Sequence, residues 1–318
     1  MPTDLLKPGC AIESTMLEQE HDMRNKICLV TGATAGIGAV TARELAARGA
    51  AVVVVGRNPQ KCETTVRDIR HRTGNDQVSF LVADLAGQQA IHELAESFKR
   101  KYPRLDVLIN NAGGLFMTRQ ESPDGIEMTF ALNHLSYFLL THLLMEALRS
   151  ASAARIINVS SNAHQSARLN FDDLEARTGY SGFAVYGRSK LANLLFTYEL
   201  ARRLQGSGMT ANALHPGFVA TNFGTNNGWF TRLIMRGILH RFAASPEEGA
   251  RTSVYLATAR EVDGVSGCYF VQEKPAHSAP GSYDLLAAER LWQISEQMTG
   301  ISSAEFGLQP LEAELALG

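Results

Sequence analysis

From Lys26 onward, the sequence alternates short runs rich in β-branched residues with longer stretches of helical periodicity. Such alternation is typical of repeated β-α-β units, in which helices connect parallel strands. Several runs are apolar at consecutive positions, as expected of strands that helices cover on both faces. The pattern predicts an α/β fold with a doubly wound, mostly parallel sheet. Its predicted strands are Ile27–Thr31, Ala51–Val55, Val78–Val82, Val107–Asn110, Ile156–Ser160, Thr210–Leu214 and Cys268–Val271.

The domain organisation follows from what the sequence lacks between its elements. A length of 318 residues permits one large α/β domain or two domains of ordinary size. No repeat, low-complexity tract or proline-rich linker divides residues 26–300, so we expect a single domain over 24–302 with an insertion at about 222–244. Residues 1–23 are expected to form an irregular extension, and residues 303–318 a tail.

The composition limits which kinds of molecule and which cellular compartment we expect for this protein. Lys and Arg total 30 against 32 Asp and Glu, a net charge of −2, which provides no general attraction for nucleic acid or an anionic membrane. The longest aliphatic run, Ala50–Val55, is far shorter than the ~20 residues that cross a bilayer. Four scattered cysteines form no C-x-x-C pair and indicate neither a disulfide framework nor a zinc site. Because a secretory signal is also not recognisable, we expect a cytoplasmic protein that acts on a small molecule.

A glycine-rich turn directly follows the first strand. Thr31–Gly38 reads T-G-A-T-A-G-I-G and continues into a helix, which leaves the backbone bare where a pyrophosphate could approach the helix N-terminus. Glycines between a strand and a helix can also serve the turn alone, but this context favours a dinucleotide site and a Rossmann-like fold. The expected cofactor contacts in this turn are Gly32, Thr34, Ala35, Gly36, Ile37 and Gly38.

The end of the second strand bears on which dinucleotide binds. It reads Gly56-Arg57-Asn58, at the place where NAD-binding domains carry an acidic residue for the ribose hydroxyl. Arg57 cannot accept that hydrogen bond, whereas its guanidinium suits a ribose phosphate. We therefore predict a preference for NADP(H), with NAD(H) as the alternative cofactor. An arginine at a surface strand end is also common without any such role.

Five further motifs follow in order along the chain: Asp84-Leu85, Asn110–Gly113, Ser160-Ser161, Tyr186–Lys190 and Pro216–Thr221. Together with the glycine-rich turn, this ordered set resembles the short-chain dehydrogenase/reductase family. The resemblance implies an NADP(H)-dependent oxidoreductase that interconverts a carbonyl and an alcohol by hydride transfer. It also implies cofactor contacts from Asp84, Leu85, Asn111, Ala112, Gly113, Tyr186, Lys190, Pro216, Gly217, Val219 and Thr221.

Tyr186 and Lys190 lie four residues apart and therefore share a helix face. A phenol with a pKa of about 10 is a poor base at neutral pH, and a nearby ammonium stabilises the phenolate, so we predict that Lys190 lowers the pKa of Tyr186. A Tyr and a Lys one turn apart can also be a simple amphipathic pair. The family resemblance implies that Tyr186 is the general acid/base, Ser161 hydrogen-bonds the substrate oxygen, and Lys190 also binds the nicotinamide ribose.

Asn133 occupies the place where the family has an asparagine that holds a water in the proton relay. The alternative is that this asparagine, within a long apolar helix, satisfies local backbone groups.

The sequence also resembles one branch of that family. Ser161 and Tyr186 are 25 positions apart, a longer gap than in many members, and the intervening Asn162-Ala-His164 and Leu169–Leu174 resemble the branch that includes retinol dehydrogenases. This resemblance implies a hydrophobic aldehyde or ketone, or a retinoid-like substrate.

Residues 229–242 interleave bulky apolar side chains with arginines and a histidine. The resemblance implies a substrate-binding lid here, while a membrane-surface helix, a partner helix and plain core packing are the alternatives. A homo-oligomer is compatible with the resemblance.

Two other functions are the alternatives to an oxidoreductase. A non-catalytic NADP(H)-binding regulator or scaffold would not need the set of Ser161, Tyr186 and Lys190. A nucleotide-sugar epimerase or dehydratase would carry the spacing G-x-x-G-x-x-G, which residues 32–38 do not show.

Overall fold

The computed structural model describes residues 22–217 and 245–308. The expectations for Val219 and Thr221, for the insertion at about 222–244 and for the segment 229–242 lie outside these residues.

One eight-stranded sheet organises the described chain, with the strand order β3-β2-β1-β4-β5-β6-β7-β8. The strands are β1 (Ile27–Thr31), β2 (Ala51–Gly56), β3 (Val78–Val82), β4 (Val107–Asn110), β5 (Arg155–Val159), β6 (Thr210–His215), β7 (Tyr269–Val271) and β8 (Lys274–Ala276). The pairings from β3 through β7 are parallel, and β8 runs antiparallel to β7. The predicted sheet is confirmed, and its seven strands lie within one residue of their predicted ends.

The edge strand β8 was not predicted. It is only three residues long and contains Pro275, so it lacks the apolar alternation by which strands are recognised. The turn before it places Gln272 and Glu273 at φ values of 50° and 64°, in the left-handed region where neither residue is common. Neither residue is the glycine or asparagine that usually marks a tight hairpin.

The helices connect successive strands and cover both faces of the sheet. Within the described ranges they are α1 (Gly36–Ala47), α2 (Pro59–Thr73), α3 (Gln88–Lys101), α4 (Met128–Phe130), α5 (Ser136–Leu143), α6 (Met145–Arg149), α7 (Gly182–Arg203), α8 (Pro246–Thr258) and α9 (Leu285–Thr299). A π-helical segment, Ala131–Leu135, lies between α4 and α5, and short 3-10 turns occur at Asn162–Ser166, Arg260–Val262, Pro280–Tyr283 and Ser303–Phe306.

Successive residues of a central strand enter different hydrophobic cores. Leu29 of β1 packs in the cluster that contains Phe138 of α5, whereas Val30 packs in the cluster that contains Leu45 of α1. Because side chains alternate across a strand, a sheet covered on both faces needs apolar residues at consecutive positions. This arrangement accounts for the consecutive apolar runs in the sequence.

The residues after Ile301, which carry no interpretable motif, pack against the core as far as they are described. Leu308 is fully buried, and the indole Nε1 of Trp292 donates a 2.8 Å hydrogen bond to Ser303 Oγ. Arg203 of α7 donates to the carbonyl oxygen of Leu308 at 3.0 Å. The folded unit therefore reaches at least Leu308.

Two of the described cysteines, Cys28 and Cys62, are buried free thiols.

Candidate active site

The sequence motifs converge on one edge of the sheet. The strand order reverses between β1 and β4, and in such sheets the crevice at the carboxyl ends of these strands is the usual ligand site. Gly32 follows β1, Asn111 follows β4, Ser161 lies two residues beyond β5, and Pro216 follows β6. Four separate stretches of the chain therefore contribute residues to the same crevice.

The glycine-rich turn lies against the segment after β4. A Cβ atom at Gly32 would lie 2.8 Å from the Cα of Ala112, and one at Gly38 would lie 2.5 Å from Asn111 Nδ2. The Asn111 amide donates a 2.8 Å hydrogen bond to the carbonyl oxygen of Thr31. These two glycines are therefore required by close packing against the Asn111 segment, as well as leaving room for a ligand.

Thr31 is a site residue that sequence reasoning missed. Its Oγ1 accepts hydrogen bonds from the amides of Asn111 (2.8 Å) and Ala112 (3.0 Å). The signal was its place at the end of β1, directly before the first glycine. Thr31 thereby joins two of the motifs that the sequence analysis treated separately.

The N-terminus of α1 lies at the glycine-rich turn and has no side-chain cap. The helix begins at Gly36, and the preceding Ala35 provides no side-chain hydrogen bond to its first turn. Unpaired N–H groups and the helix dipole together favour an anion there. Thr34 and Ile37 lie on either side of this start and are partly exposed, so the turn has the chemistry of a phosphate site.

At the end of β2, position 56 has no space for a side chain. A Cβ atom at Gly56 would lie 2.5 Å from Thr34 Cγ2 and 3.0 Å from Cys62 Sγ. Arg57 follows at an exposed position, and the Asn58 side chain caps α2 by accepting from Lys61 N. The local geometry therefore presents a guanidinium at this rim of the crevice.

Asp84 and Leu85 follow β3 and differ in exposure. Leu85 is buried, whereas Asp84 is exposed and its Oδ1 accepts a 3.2 Å hydrogen bond from Ala86 N. Asp84 therefore shapes its own turn at the rim of the crevice.

The predicted reacting groups come together at the start of α7. The Ser161 hydroxyl is hydrogen-bonded to the Tyr186 phenol, and Lys190 Nζ lies 5.6 Å from the centroid of the Tyr186 ring. The same amine donates a 3.0 Å hydrogen bond to the carbonyl oxygen of Val159. A Cβ at Gly187 would lie 2.7 Å from the carbonyl oxygen of Ala163, so this glycine lets the turn after Ser161 approach the helix.

Burial shifts the pKa values of Tyr186 and Lys190 in opposite directions. It raises the pKa of Tyr186 above its usual value, against the opposing hydrogen bond from Ser161, and it lowers the pKa of Lys190 to about 7. The causes of this shift in Tyr186 are burial and the Ser161 hydrogen bond, and the Lys190 Nζ is directed to Val159 O, so the lowering of the Tyr186 pKa by Lys190 stays a prediction. The phenol is protonated at neutral pH, as is a phenol with its usual pKa of about 10.

Asn133 lies in the π-helical segment, and its side chain is fully engaged by the protein. Its Oδ1 accepts from Gly114 N at 2.8 Å, and its Nδ2 donates to Gly114 O and to Ser189 Oγ, each at 3.0 Å. Ser189 Oγ donates in turn to the carbonyl oxygen of Tyr186 at 2.7 Å. The side chain of Asn133 thus satisfies backbone groups and links the Gly114 loop to α7. Ser189, inside the Tyr186–Lys190 motif, was also missed as a site residue.

Among residues 22–217 and 245–308, no group of three or more His, Cys, Asp or Glu side chains could hold a metal ion. No helix in the same residues has both the length and the apolar character needed to cross a membrane.

Comparison with known proteins gives one consistent result. The family profile described as short chain dehydrogenase matches residues 26–228. The chain is 43% identical over 291 residues to human retinol dehydrogenase 13, covering 90% of this chain and 88% of the relative. It is 41% identical over 283 residues to human polyprenol dehydrogenase, covering 87% and 86% respectively.

Two solved structures have a fold similar to that of this chain. A crystal structure of an uncharacterized protein from Mycobacterium paratuberculosis superposes with a TM-score of 0.73 at 34% identity, covering 89% of this chain and 96% of that one. The Pseudomonas aeruginosa RhlG/NADP active-site complex superposes with a TM-score of 0.65 at 27% identity, covering 80% and 97%. The chain described above therefore belongs to the short-chain dehydrogenase/reductase family of oxidoreductases and is retinol dehydrogenase-like.

Proposed function

We propose that this protein is an NADP(H)-dependent enzyme that interconverts a hydrophobic carbonyl compound and its alcohol. One observation carries the proposal: the proton-transfer groups adjoin the turn that faces the dinucleotide crevice. Lys190 Nζ lies 3.6 Å from the place that a Cβ of Gly113 would occupy, and Gly113 follows β4 in the crevice. A substrate oxygen held at Tyr186 would therefore lie beside a cofactor in that crevice.

The residues of the crevice fit an NADP(H) molecule. The glycine-rich turn and the uncapped start of α1 would hold the pyrophosphate, and Arg57 would hold the ribose phosphate. The closed space at Gly56 supports the same assignment, because a carboxylate for a free ribose hydroxyl does not fit there. The nicotinamide of the bound cofactor supplies or accepts the hydride.

The protein itself contributes a proton donor that is held beside the substrate oxygen. In the reducing direction, Tyr186 donates its phenolic proton to the carbonyl oxygen, and the Ser161 hydroxyl hydrogen-bonds the same oxygen. A phenol whose pKa is raised by burial is present as the acid at neutral pH, which suits this direction. Lys190 is held below the Tyr186 ring by its bond to Val159 O.

Exposed apolar side chains near the crevice favour a hydrophobic substrate. Phe183, the second residue of α7, is 58% exposed, and Met117 in the loop after β4 is 37% exposed. The two segments touch, because a Cβ on Gly182 would contact the carbonyl oxygen of Phe116. The names of the relatives, retinol dehydrogenase and polyprenol dehydrogenase, also refer to apolar alcohols.

The test is turnover of a panel of carbonyl compounds by the purified protein. Retinal, steroid ketones, quinones and simple aldehydes would be offered with NADPH or NADH, and oxidation followed at the absorbance band of the reduced cofactor. We expect turnover of apolar members with NADPH, and we expect Tyr186→Phe to abolish turnover while NADPH binding persists. Tight NADPH binding without turnover of any compound would favour a non-catalytic regulator.

A further inference from the structure

A buried histidine contacts the backbone of Ser161. His164 is fully buried within the 3-10 turn Asn162–Ser166. Its Nδ1 lies 2.5 Å from the carbonyl oxygen of Ser161, and its Nε2 lies 3.1 Å from the amide nitrogen of Ala279. The ring therefore bridges the end of β5 and the segment between β8 and α9.

These two partners fix one tautomer of the ring. A carbonyl oxygen only accepts and a backbone N–H only donates, so Nδ1 carries the hydrogen and Nε2 is the acceptor. Burial also lowers the pKa of His164, which keeps the ring neutral as the two bonds require. The titratable groups that face it are Tyr269, whose ring centroid is 5.2 Å away, and His215, whose pKa His164 lowers electrostatically.

The hydrogen bond from His164 is made to the backbone carbonyl of Ser161, next to the torsions that set the direction of the Ser161 hydroxyl. Ser161 has an extended backbone with φ −164° and ψ 153°, and its Oγ accepts a 3.3 Å hydrogen bond from Ala163 N. Its carbonyl oxygen accepts both the backbone N–H and the ring N–H of His164. His164 therefore provides two donors to this carbonyl oxygen, and these two bonds fix the plane of the peptide bond that follows Ser161.

The far end of the bridge is anchored to the helix that carries Tyr186. The Ala279 carbonyl accepts a 2.6 Å bond from Ser282 Oγ, which lies 2.6 Å from Ser278 Oγ. Ser278 Oγ is in turn 2.7 Å from the hydroxyl of Tyr198. Tyr198 and Tyr186 both belong to α7. A closed path of contacts thus runs from Ser161 through His164 back to the helix of its phenolic partner.

We propose that His164 is a positioning residue, which holds the Ser161 hydroxyl in register with Tyr186 through the Nδ1–H bond to the Ser161 carbonyl. This inference rests on the proposed function, because it concerns the same reaction. Displacements of about 1 Å in a reacting group can cost on the order of 100-fold in rate, so a loose Ser161 is expected to reduce kcat.

Two conservative variants of His164 each keep one of its two hydrogen bonds and remove the other. The amide of Asn lies near the position of Nδ1 and that of Gln near the position of Nε2, so His164→Asn keeps a donor for Ser161 and His164→Gln keeps an acceptor for Ala279. We expect His164→Gln to have a kcat at least about tenfold below that of His164→Asn, with similar KM for NADPH. His164→Leu, which buries no polar atom, is expected to match His164→Gln and provides the test if the Gln variant does not fold.

The matched controls are Asn and Gln variants of His142. That ring is also buried and bridged, from Nδ1 to Phe138 O at 2.7 Å and from Nε2 to Ser303 Oγ at 2.9 Å. These variants are expected to lower the melting temperature with equal kcat for Asn and Gln. Equal kcat for the His164 Asn, Gln and Leu variants, in folded protein that binds NADPH, would overturn the inference. Failure of the wild-type protein on every carbonyl compound would instead refute the proposed function.

Discussion

The side chains of Lys190 and Asn193 donate hydrogen bonds to one shared acceptor, the carbonyl oxygen of Val159, at 3.0 Å and 3.4 Å. Val159 ends β5 two residues before Ser161. The strand that delivers Ser161 therefore also fixes the amine that lies under Tyr186. Because Asn193 contacts the same oxygen, this carbonyl retains a donor when Lys190 is replaced.

Replacing Lys190 with methionine is expected to stabilise the fold while it abolishes turnover. Burial lowers the pKa of Lys190 to about 7, whereas an unfolded lysine has a pKa of about 10.4. The charged ammonium of Lys190 therefore destabilises the folded state relative to the unfolded state. Removing it should raise the free energy of unfolding by about 1–3 kcal/mol near pH 6.

Urea unfolding of Lys190→Met as a function of pH provides the check. The unfolded state binds the extra proton between pH 7 and about 10.4, so wild-type stability rises across this window and the advantage of the variant shrinks. Lys274→Met, at an exposed position, is the control and should show no such pH dependence. A Lys190→Met protein that is less stable at pH 6 would contradict the argument.

The pH dependence of the two reaction directions should differ. Burial raises the pKa of Tyr186, so the phenolic acid is abundant at neutral pH and the phenolate is scarce. Carbonyl reduction is expected to hold its kcat from pH 6 to pH 8, whereas alcohol oxidation rises with pH because it requires the base form. Steady-state kinetics in both directions measure this, and oxidation that falls over the same range would contradict it.

The sequence was sufficient to predict the seven parallel strands of the sheet, but not the edge strand β8 or the hydrogen bonds within the site. Consecutive apolar residues predict strands buried on both faces, and four-residue spacing predicts a shared helix face. The bonds of Asn133 to Gly114 and of His164 to Ala279 join residues 19 and 115 positions apart, which no local pattern specifies. The sign of the Tyr186 pKa shift also depends on burial, and spacing to Lys190 does not report how far water is excluded.

Arg57 is expected to account for the preference for NADP(H). A charge-assisted bond to a phosphate contributes about 1.5–3 kcal/mol, so Arg57→Gln should weaken binding of 2′,5′-ADP by roughly 10- to 150-fold and leave 5′-AMP nearly unaffected. Isothermal titration calorimetry with these two nucleotides gives the comparison without any turnover. Arg67→Gln, at an exposed position on α2, is the matched control, and an equal loss in both arginine variants would show that Arg57 has no specific role.

Gly56 should resist conversion to an NAD-specific site unless Thr34 is also changed. A side chain at Gly56 would meet Thr34 Cγ2 at 2.5 Å and Cys62 Sγ at 3.0 Å, so Gly56→Asp alone is expected to weaken NADH and NADPH binding together. Adding Thr34→Gly removes the closer of the two contacts and should let the carboxylate reach the ribose hydroxyl. The double variant is then expected to bind NADH at least about tenfold more tightly than Gly56→Asp does. Fluorescence titration with NADH measures the difference, and Thr34→Gly alone serves as the control. If Gly56→Asp by itself gains NADH affinity, the contact with Thr34 does not close this position.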